Sequence, residues 1–193
     1  MKIYTRTGDD GTTGLFGGGR VRKYNPRIQV CGAVDETNAV IGAVLALMPA
    51  QEPLKSLIAL VQNDLFDLGS DLATPLEARA VVPRIGPDHA ERLEEAIDIL
   101  EADLAPLRNF ILPGGTPAAA MLHLARTVCR RAERQLVLAQ EEEALNVYGL
   151  QYLNRLSDLL FVMARWVNLQ ADIEDILWKP EHVRRGKEEN SRR

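Results

Sequence analysis

Residues 116–142 are TPAAAMLHLARTVCRRAERQLVLAQEE, and this stretch has the spacing of one long amphipathic helix. Thr116 is a residue type that caps helix N-termini, and Pro117 suits the first helical position because its missing N–H needs no partner there. Small and aliphatic residues then recur at steps of three and four, which predicts a buried helix face that a neighbouring helix can approach closely: Leu122, Ala125, Cys129, Ala132, Leu136 and Ala139.

Four more helices are predicted on either side of this stretch. One extends from about Arg27 to Met48, and another, with a leucine-rich stripe, covers residues 54–73. A third begins at Pro87 and continues to Pro106, and the last extends from about Asn146 to Ile173. No strand alternation is convincing outside the first few residues. The predicted fold is therefore all-α, an up-down bundle of about five helices with a glycine-rich N-terminal arm.

Length and composition favour one globular domain. The chain has 193 residues, of which 46% are hydrophobic and 26% charged, and we expect a single domain over residues 1–178 with a frayed tail at 179–193. A net charge of −4 argues against nucleic-acid binding. The longest apolar run, residues 39–50, is shorter than the roughly 20 residues of a membrane span, so we expect no membrane segment.

The cysteines and the N-terminus predict a cytoplasmic location. Cys31 and Cys129 are far apart and form no CxxC pair, which suits a reducing compartment. The first ten residues have neither the apolar segment of a secretory signal nor the composition of a transit peptide. Both cysteines are predicted to be small buried residues and not nucleophiles.

The N-terminal arm, residues 1–26, is rich in glycine and positive charge. Residues 5–20 are TRTGDDGTTGLFGGGR, with six glycines. Glycine backbones can direct successive N–H groups at an anion, as phosphate-binding loops do. No GKS or GKT follows, so a P-loop is excluded. Two interpretations remain open for this segment: a phosphate-binding loop or a flexible arm.

The helix at 116–142 has a second stripe, formed by arginines. Arg126, Arg130 and Arg134 are spaced four residues apart and repel one another by a few tenths of a kcal/mol per pair. They form either a solvated face or a surface that binds an anion. The last helix carries a polar stripe of its own, formed by Asn154, Asp158, Arg165 and Asn168. Three interpretations remain open for it: the stripe faces water, another subunit or a ligand.

Several catalytic chemistries are excluded by missing motifs. The chain has no HExxH or Glu-x-x-His pair for zinc or di-iron, and no GxSxG for an acyl-transfer serine.

Four segments together resemble one enzyme family. They are YTRTGDDGTTGL at 4–15, GAVDETNAVIG at 32–42, LPGGT with CRRAER between 112 and 134, and YLNRLSD at 152–158. In order and spacing they are similar to the PduO-type ATP:cob(I)alamin adenosyltransferases, and the resemblance covers about residues 3–170. It implies a ferritin-like five-helix bundle that assembles as a homotrimer with active sites between subunits.

The resemblance also implies roles for individual residues. Asp35 matches an aspartate that pairs across the subunit interface with the arginine matched by Arg130. Phe110 matches a phenylalanine at the lower face of the corrin; these three residues are the implied catalytic set, and Asp35 and Phe110 the implied cobalamin-binding residues. The implied ATP-binding residues are Thr5, Arg6, Thr7, Gly8, Thr13, Lys23, Arg130, Arg131, Glu133, Arg134 and Asn154.

The implied reaction is attack of cob(I)alamin on the 5′ carbon of ATP, giving adenosylcobalamin and triphosphate. Mg²⁺ is expected on the phosphate oxygens, and no protein metal site is expected. A reductase and an adenosylcobalamin-dependent client enzyme are the expected protein partners. The alternative is a non-catalytic trimer that senses ATP or carries a corrinoid, for which Phe110 and the pair of Asp35 with Arg130 would be unnecessary.

Overall fold

Five α-helices make up most of the computed structural model, which describes residues 2–48 and 53–179. The helices are α1 (Pro26–Leu47), α2 (Leu54–Ala73), α3 (Pro87–Glu101), α4 (Pro117–Glu142) and α5 (Val147–Gln170). Two antiparallel ribbons complete the fold: β1 (Thr12–Gly14) pairs with β2 (Arg20–Arg22), and β3 (Ile111–Leu112) pairs with β4 (Ile176–Leu177). The all-α prediction is confirmed. The predicted frayed tail lies outside the described residues, apart from Lys179.

Helix α4 lies at the centre of the bundle, where it packs against both α1 and α5. The six residues of its predicted apolar face are all buried, and the hydroxyl of Thr116 accepts a hydrogen bond from the amide of Ala119 at 3.0 Å. Helix α2 packs on α1, and α3 packs on α5. The stripe of small residues in α4 thus allows two helices to pack against it from opposite sides.

Two helices end earlier than predicted. Helix α3 ends at Glu101, so Leu104 lies beyond it. Helix α5 ends at Gln170 because Asp172 adopts a left-handed backbone conformation, with φ of 54°, and the amide of Ile173 bonds back to the carbonyl of Asn168 at 2.9 Å. This closing turn reverses the chain and directs it towards β3.

The β3–β4 ribbon is absent from the sequence-based prediction. Each of its strands has only two residues, which is too short for an alternating pattern to be visible. Their pairing joins the loop before α4 to the segment after α5, so it exists only because α4 and α5 dock side by side.

The expectation of no membrane segment rests on the longest uninterrupted apolar run, and a looser test by mean hydropathy selects one helix. Helix α1 has 22 residues and an 18-residue window of mean hydropathy 1.5, so its length and composition alone would allow a span. An uninterrupted apolar run is a stricter test than mean hydropathy. Core helices of water-soluble proteins also pass the looser test, and α1 packs against α2 and α4.

The base of the arm is fixed to the bundle by a partly buried ion pair. Arg27 is 3% exposed, and its Nε donates to a carboxylate oxygen of Glu143 at 2.8 Å. Its Nη1 donates to the carbonyl of Leu72 at 2.7 Å. The start of α1 is therefore held against the ends of α2 and α4, which fixes the point from which the arm extends.

Candidate active site

The N-terminal arm folds into an ordered loop that lies on the β1–β2 hairpin. The guanidinium of Arg20 donates to the carbonyl of Thr7 and, at 3.0 Å, to the hydroxyl of Thr12. A carboxylate oxygen of Asp10 accepts hydrogen bonds from the hydroxyl and amide of Thr12, and these bonds lower the pKa of Asp10. In the structure this segment is therefore a folded loop and not a freely flexible arm.

Several predicted ATP-binding residues meet within this loop. The hydroxyls of Thr5 and Thr7 lie 3.0 Å apart. A Cβ atom at Gly8 would lie 3.3 Å from Nζ of Lys23 and 3.1 Å from the carbonyl oxygen of Thr12, so a larger residue there would crowd the ammonium group. Arg6 has a left-handed backbone with φ of 61°. The loop thus combines two hydroxyls, a left-handed residue and, beside Gly8, the ammonium group of Lys23, which suits an anion-binding loop.

The tip of the arm packs on α2 and on the segment after it. The amide of Phe16 donates to the carbonyl of Ala73 at 3.0 Å. Gly17 has φ of +68°, and a Cβ there would lie 2.8 Å from Cβ of Ala80. The packed tip leaves a groove of about 350 Å³ between α1 and α2, whose lining includes Phe16, Asp35 and Phe66. Asp35 therefore lies in a groove that the arm helps to form.

The arginine row of α4, which is the stripe of Arg126, Arg130 and Arg134 predicted from the sequence, is flanked by residues that contact α1 and α5. Arg131 forms an ion pair with Glu36, and Glu133 accepts a hydrogen bond from the side-chain amide of Asn154 at 3.0 Å. Arg134 donates to the backbone carbonyl of Arg130 at 2.9 Å. Both of these arginines are exposed, and no ion pair between described residues involves either of them. Two guanidinium groups are thus available to a ligand or another subunit.

Arg126 belongs to the predicted arginine stripe, but it is not among the predicted site residues. Its Nε atom is buried and has no hydrogen-bond partner in the described part of the chain. Burial and the neighbouring charge of Arg130 lower its pKa. The four-residue spacing of the arginines was the signal that could have identified it, because a half-buried cation without a partner favours an incoming anion.

Phe110 lies in the loop before α4 and directly precedes β3. Its side chain is 77% exposed, and its ring meets the ring of Trp178 edge to face, with centroids 6.3 Å apart. The amide of Trp178 donates to the carbonyl of Phe110 at 2.8 Å. The two residues line an open space of about 360 Å³ together with residues 107–109. Trp178 could not be identified from the sequence, because it lies in no periodic segment.

The polar stripe of α5 divides into two parts. Asn154 and Asp158 are exposed, whereas Arg165 and Asn168 are buried and bind backbone groups of the loop before α4 and residues after α5. Only the outer part is available to a ligand.

The predicted site residues form three separate groups within one chain. These groups are the arm, the arginine row and Phe110. The structure describes residues 2–48 and 53–179, and within this part of the chain no hydrogen bond or ion pair joins one group to another. Cationic groups of the arm and of the arginine row are exposed.

The profile of one protein family, described as cobalamin adenosyltransferase, matches residues 3–167.

The chain belongs to the cobalamin adenosyltransferase family.

Curated relatives agree with this family over nearly their whole length. A corrinoid adenosyltransferase of Mycobacterium bovis is 46% identical over 183 residues, which is 93% of each chain. A cobalamin adenosyltransferase of Cupriavidus metallidurans is 47% identical over 180 residues, covering 93% of this chain and 95% of its own.

Solved structures of the family have the same fold. A PduO-type ATP:corrinoid adenosyltransferase from Lactobacillus reuteri, in a variant with histidine replacing a phenylalanine and complexed with cobalamin and ATP, superposes with a TM-score of 0.88. It is 38% identical and covers 92% of this chain and 97% of its own. As a member of the family, the chain is an ATP-dependent adenosyltransferase that acts on cobalamin.

Proposed function

We propose that the protein joins the 5′-deoxyadenosyl group of ATP to the cobalt of cob(I)alamin, releasing triphosphate, at sites between the subunits of a homotrimer. One observation carries the intersubunit part of this proposal. The arm and the arginine row both present cationic groups, but they do not meet within a chain, so a neighbouring subunit is needed to bring them onto one triphosphate.

ATP is held from two sides in this proposal. The arm of one subunit supplies the hydroxyls of Thr5, Thr7 and Thr13, the turn at Arg6 and Gly8, and the ammonium of Lys23. The neighbouring subunit supplies the outer face of α4 and α5: Arg130, Arg131, Glu133, Arg134 and Asn154. Negative charge grows on the leaving triphosphate, and each aligned cation stabilises it by about 3 kcal/mol in the transition state.

Asp35 and an arginine of the neighbouring subunit close the interface beside the nucleotide. Asp35 is exposed and forms no ion pair with a described residue. Arg130 is the arginine that the family resemblance pairs with it. Arg126 is a second candidate, because its half-buried guanidinium lacks an acidic partner in the described chain.

Phe110 acts on the corrin and not on the nucleotide. Cob(I)alamin supplies the nucleophile, so the protein needs none of its own. An apolar ring that displaces the lower cobalt ligand and excludes water makes four-coordinate cobalt, which is easier to reduce. In Lactobacillus reuteri enzymes of solved structure, a phenylalanine replaced by histidine in one variant and an arginine replaced by lysine in another are twenty residues apart. Phe110 and Arg130 have the same spacing, which supports matching them to these two residues.

Mg²⁺ would accompany ATP through the phosphate oxygens. The described residues contain no group of three or more His, Cys, Asp and Glu side chains that could hold a metal ion. Mg²⁺ usually keeps several waters and binds mainly to phosphate; its role would be to offset phosphate charge.

The cellular setting is the cytoplasm. Cys31 and Cys129 are both free thiols, which a reducing compartment preserves. A reductase that supplies the electron for cob(I)alamin and an enzyme that consumes adenosylcobalamin are the partners that the reaction needs.

The direct test is conversion in the dark without oxygen. The protein is mixed with ATP, Mg²⁺ and chemically reduced cobalamin, and the visible spectrum is followed. We expect the adenosylcobalamin spectrum to appear together with one triphosphate per turnover. Binding of ATP or corrinoid without conversion would instead support the sensor or carrier alternative.

The arginine row is tested by calorimetry. Arg134→Ala should weaken ATP binding about ten-fold or more, since it removes a charge-assisted hydrogen bond. Lys55→Ala, which removes an exposed cation on α2, is the matched control. An ATP isotherm that Arg134→Ala leaves unaltered would count against the assignment.

Phe110 is tested by separating binding from turnover. Phe110→Ala should leave ATP affinity close to wild type while turnover with cob(II)alamin and a reductant collapses, because the lower ligand stays on cobalt. Unchanged turnover would refute the role.

A further inference from the structure

The position of Phe110 depends on one buried arginine of α5. Arg165 is 8% exposed, and its Nε donates to a carboxylate oxygen of Asp175 at 2.7 Å. Its Nη2 donates to the carbonyl of Ala105 at 2.9 Å. One rigid guanidinium thus contacts the chain on its way into β3 and again immediately before β4.

The two contacts lie at the base of the ribbon that carries the aromatic pair. Asp175 directly precedes β4, which pairs with β3 and ends beside Trp178. Trp178 is joined to Phe110 through the backbone bond of 2.8 Å and the edge-to-face contact of the rings. A continuous chain of contacts therefore leads from Arg165 to Phe110.

The ribbon has little else to hold it. Its strands have two residues each, and so small a two-stranded ribbon is marginal in water. Phe110, Leu112, Ile176 and Trp178 are all exposed, so burial of side chains contributes little to their position.

The carboxylate of Asp175 depends on Arg165 in turn. The Asp175 side chain is largely buried, and its second oxygen, Oδ1, has no hydrogen-bond partner in the described part of the chain. Removal of the guanidinium would leave a shielded carboxylate without a counterion, which is unfavourable. The segment after α5 would then move outward to reach water.

We propose that Arg165 is a positioning residue that holds Phe110 and Trp178 at the lower face of the corrin, through its joint contacts with Asp175 and Ala105. The inference rests on the proposed function, since it assigns Phe110 the role given above. Arg165 itself contacts neither ATP nor the corrin. Its effect is on the coordination state of cobalt, and nucleotide binding does not depend on it.

The test compares three folded variants in the presence of ATP. Arg165→Met removes both hydrogen bonds and keeps an unbranched side chain, and Asp175→Asn removes only the charge of the partner. Arg155→Met is the control, because Arg155 lies on the same helix in a more exposed ion pair with Glu94. Circular dichroism melts establish that each variant is folded, and the milder Asp175→Asn keeps the test valid if Arg165→Met fails to fold.

The first readout is the spectrum of bound cob(II)alamin, in which four-coordinate cobalt is distinguished by electron paramagnetic resonance. We expect both test variants to lower the four-coordinate fraction several-fold. Turnover from cob(II)alamin with a reductant should fall about ten-fold, while KM for ATP changes less than about two-fold. Turnover from pre-reduced cob(I)alamin should fall much less, because that substrate no longer needs its lower ligand displaced.

Arg165→Lys provides the rescue. Lysine can keep the ion pair with Asp175 but lacks the second arm of the guanidinium fork, so its four-coordinate fraction should lie between those of wild type and Arg165→Met. If wild type makes adenosylcobalamin while folded Asp175→Asn and Arg165→Met keep the wild-type four-coordinate fraction, the inference is wrong. If wild type makes no adenosylcobalamin at all, the proposed function itself fails.

Discussion

At the scale of single residues, Gly115 shows how tightly the loop before α4 is built. Its φ is +98°, and a Cβ atom there would lie 2.1–2.4 Å from the side-chain atoms of Asn168. Asn168 in turn accepts a hydrogen bond from the amide of Thr116 at 3.0 Å and donates to the carbonyl of Gly114 at 3.2 Å. Glycine is required here both for its conformation and for the space it leaves.

Gly115→Ala should therefore lower the free energy of unfolding by about 2 kcal/mol or more, because it adds backbone strain and displaces a buried amide from its partners. Urea denaturation measures the change. Gly69→Ala is the control, since Gly69 lies within α2 and a Cβ atom there would meet nothing within 4 Å. Equal stability of the two variants would contradict the explanation.

His123 is a buried group whose titration should be visible in stability. It is 3% exposed, stacks edge to face with Phe161 at 6.0 Å, and its Nδ1 has no hydrogen-bond partner in the described chain. Burial is the main cause that lowers its pKa, and Arg126 lowers it further, while Asp175 acts in the opposite direction.

The lowered pKa predicts a loss of stability in acid. Below the usual histidine pKa of about 6.5 the unfolded chain binds a proton that the folded chain still excludes, so stability falls as pH falls through that value. Urea midpoints measured from about pH 7 to pH 5 should decline more steeply for wild type than for His123→Gln. Parallel pH profiles for the two proteins would show that His123 does not contribute.

At the scale of elements, the end of α5 decides where the ribbon can form. Asp172 supplies the left-handed residue that stops the helix, a conformation that costs about 1 kcal/mol for a residue other than glycine. Asp172→Gly should raise the free energy of unfolding by about 0.5–1 kcal/mol, whereas Asp172→Val should lower it. Denaturant midpoints of both variants test this, and a midpoint for Asp172→Gly below that of wild type would contradict it.

At the scale of the whole molecule, the bundle leaves apolar residues on the outside of α1 and α4. Leu47 on α1 and Leu124 and Leu138 on α4 are each about half exposed. The arginine row lies on α4 as well, so a subunit that covers this side also reaches the candidate site. Exposed apolar side chains beside an incomplete site favour a surface that another copy buries.

For the proposed homotrimer, light scattering should report a particle of about 64 kDa, three chains of 21.4 kDa. Leu124→Glu combined with Leu138→Glu should shift the mass towards the monomer and remove adenosylation together with it. Ile99→Glu, at an exposed position of α3, should leave the assembly intact. A doubly substituted protein that stays trimeric would place the interface elsewhere.

Much of the bundle could be predicted from sequence because helices are encoded locally. The predicted bounds of α2 and α4 agree with the structure, and so does the cap at Thr116. The glycines of the arm and the four-residue spacing of the arginines likewise mark two of the three groups of the candidate site. The ligand roles of Arg130, Phe110 and the other predicted site residues stay predictions, which the assays of ATP binding and turnover test.

Other features depend on residues that are far apart in sequence. Arg27 and Glu143 form a partly buried ion pair across 116 positions, and Arg165 joins the loop before α4 to the segment after α5. No short pattern around any of these residues differs from that of an ordinary surface charge. Their roles become visible only when the helices are docked.

The amino-acid sequence by itself determined the five helices, their buried faces and the kinds of side chain that can meet a polyphosphate, since each depends on spacing within a few turns of chain. Only the tertiary structure decided that α5 ends in a reversal, that β3 pairs with β4, and that Arg165 contacts both Ala105 and Asp175. Those features arise from contacts between segments that are distant in sequence, and such contacts are set by how the helices pack and not by the residues next to them.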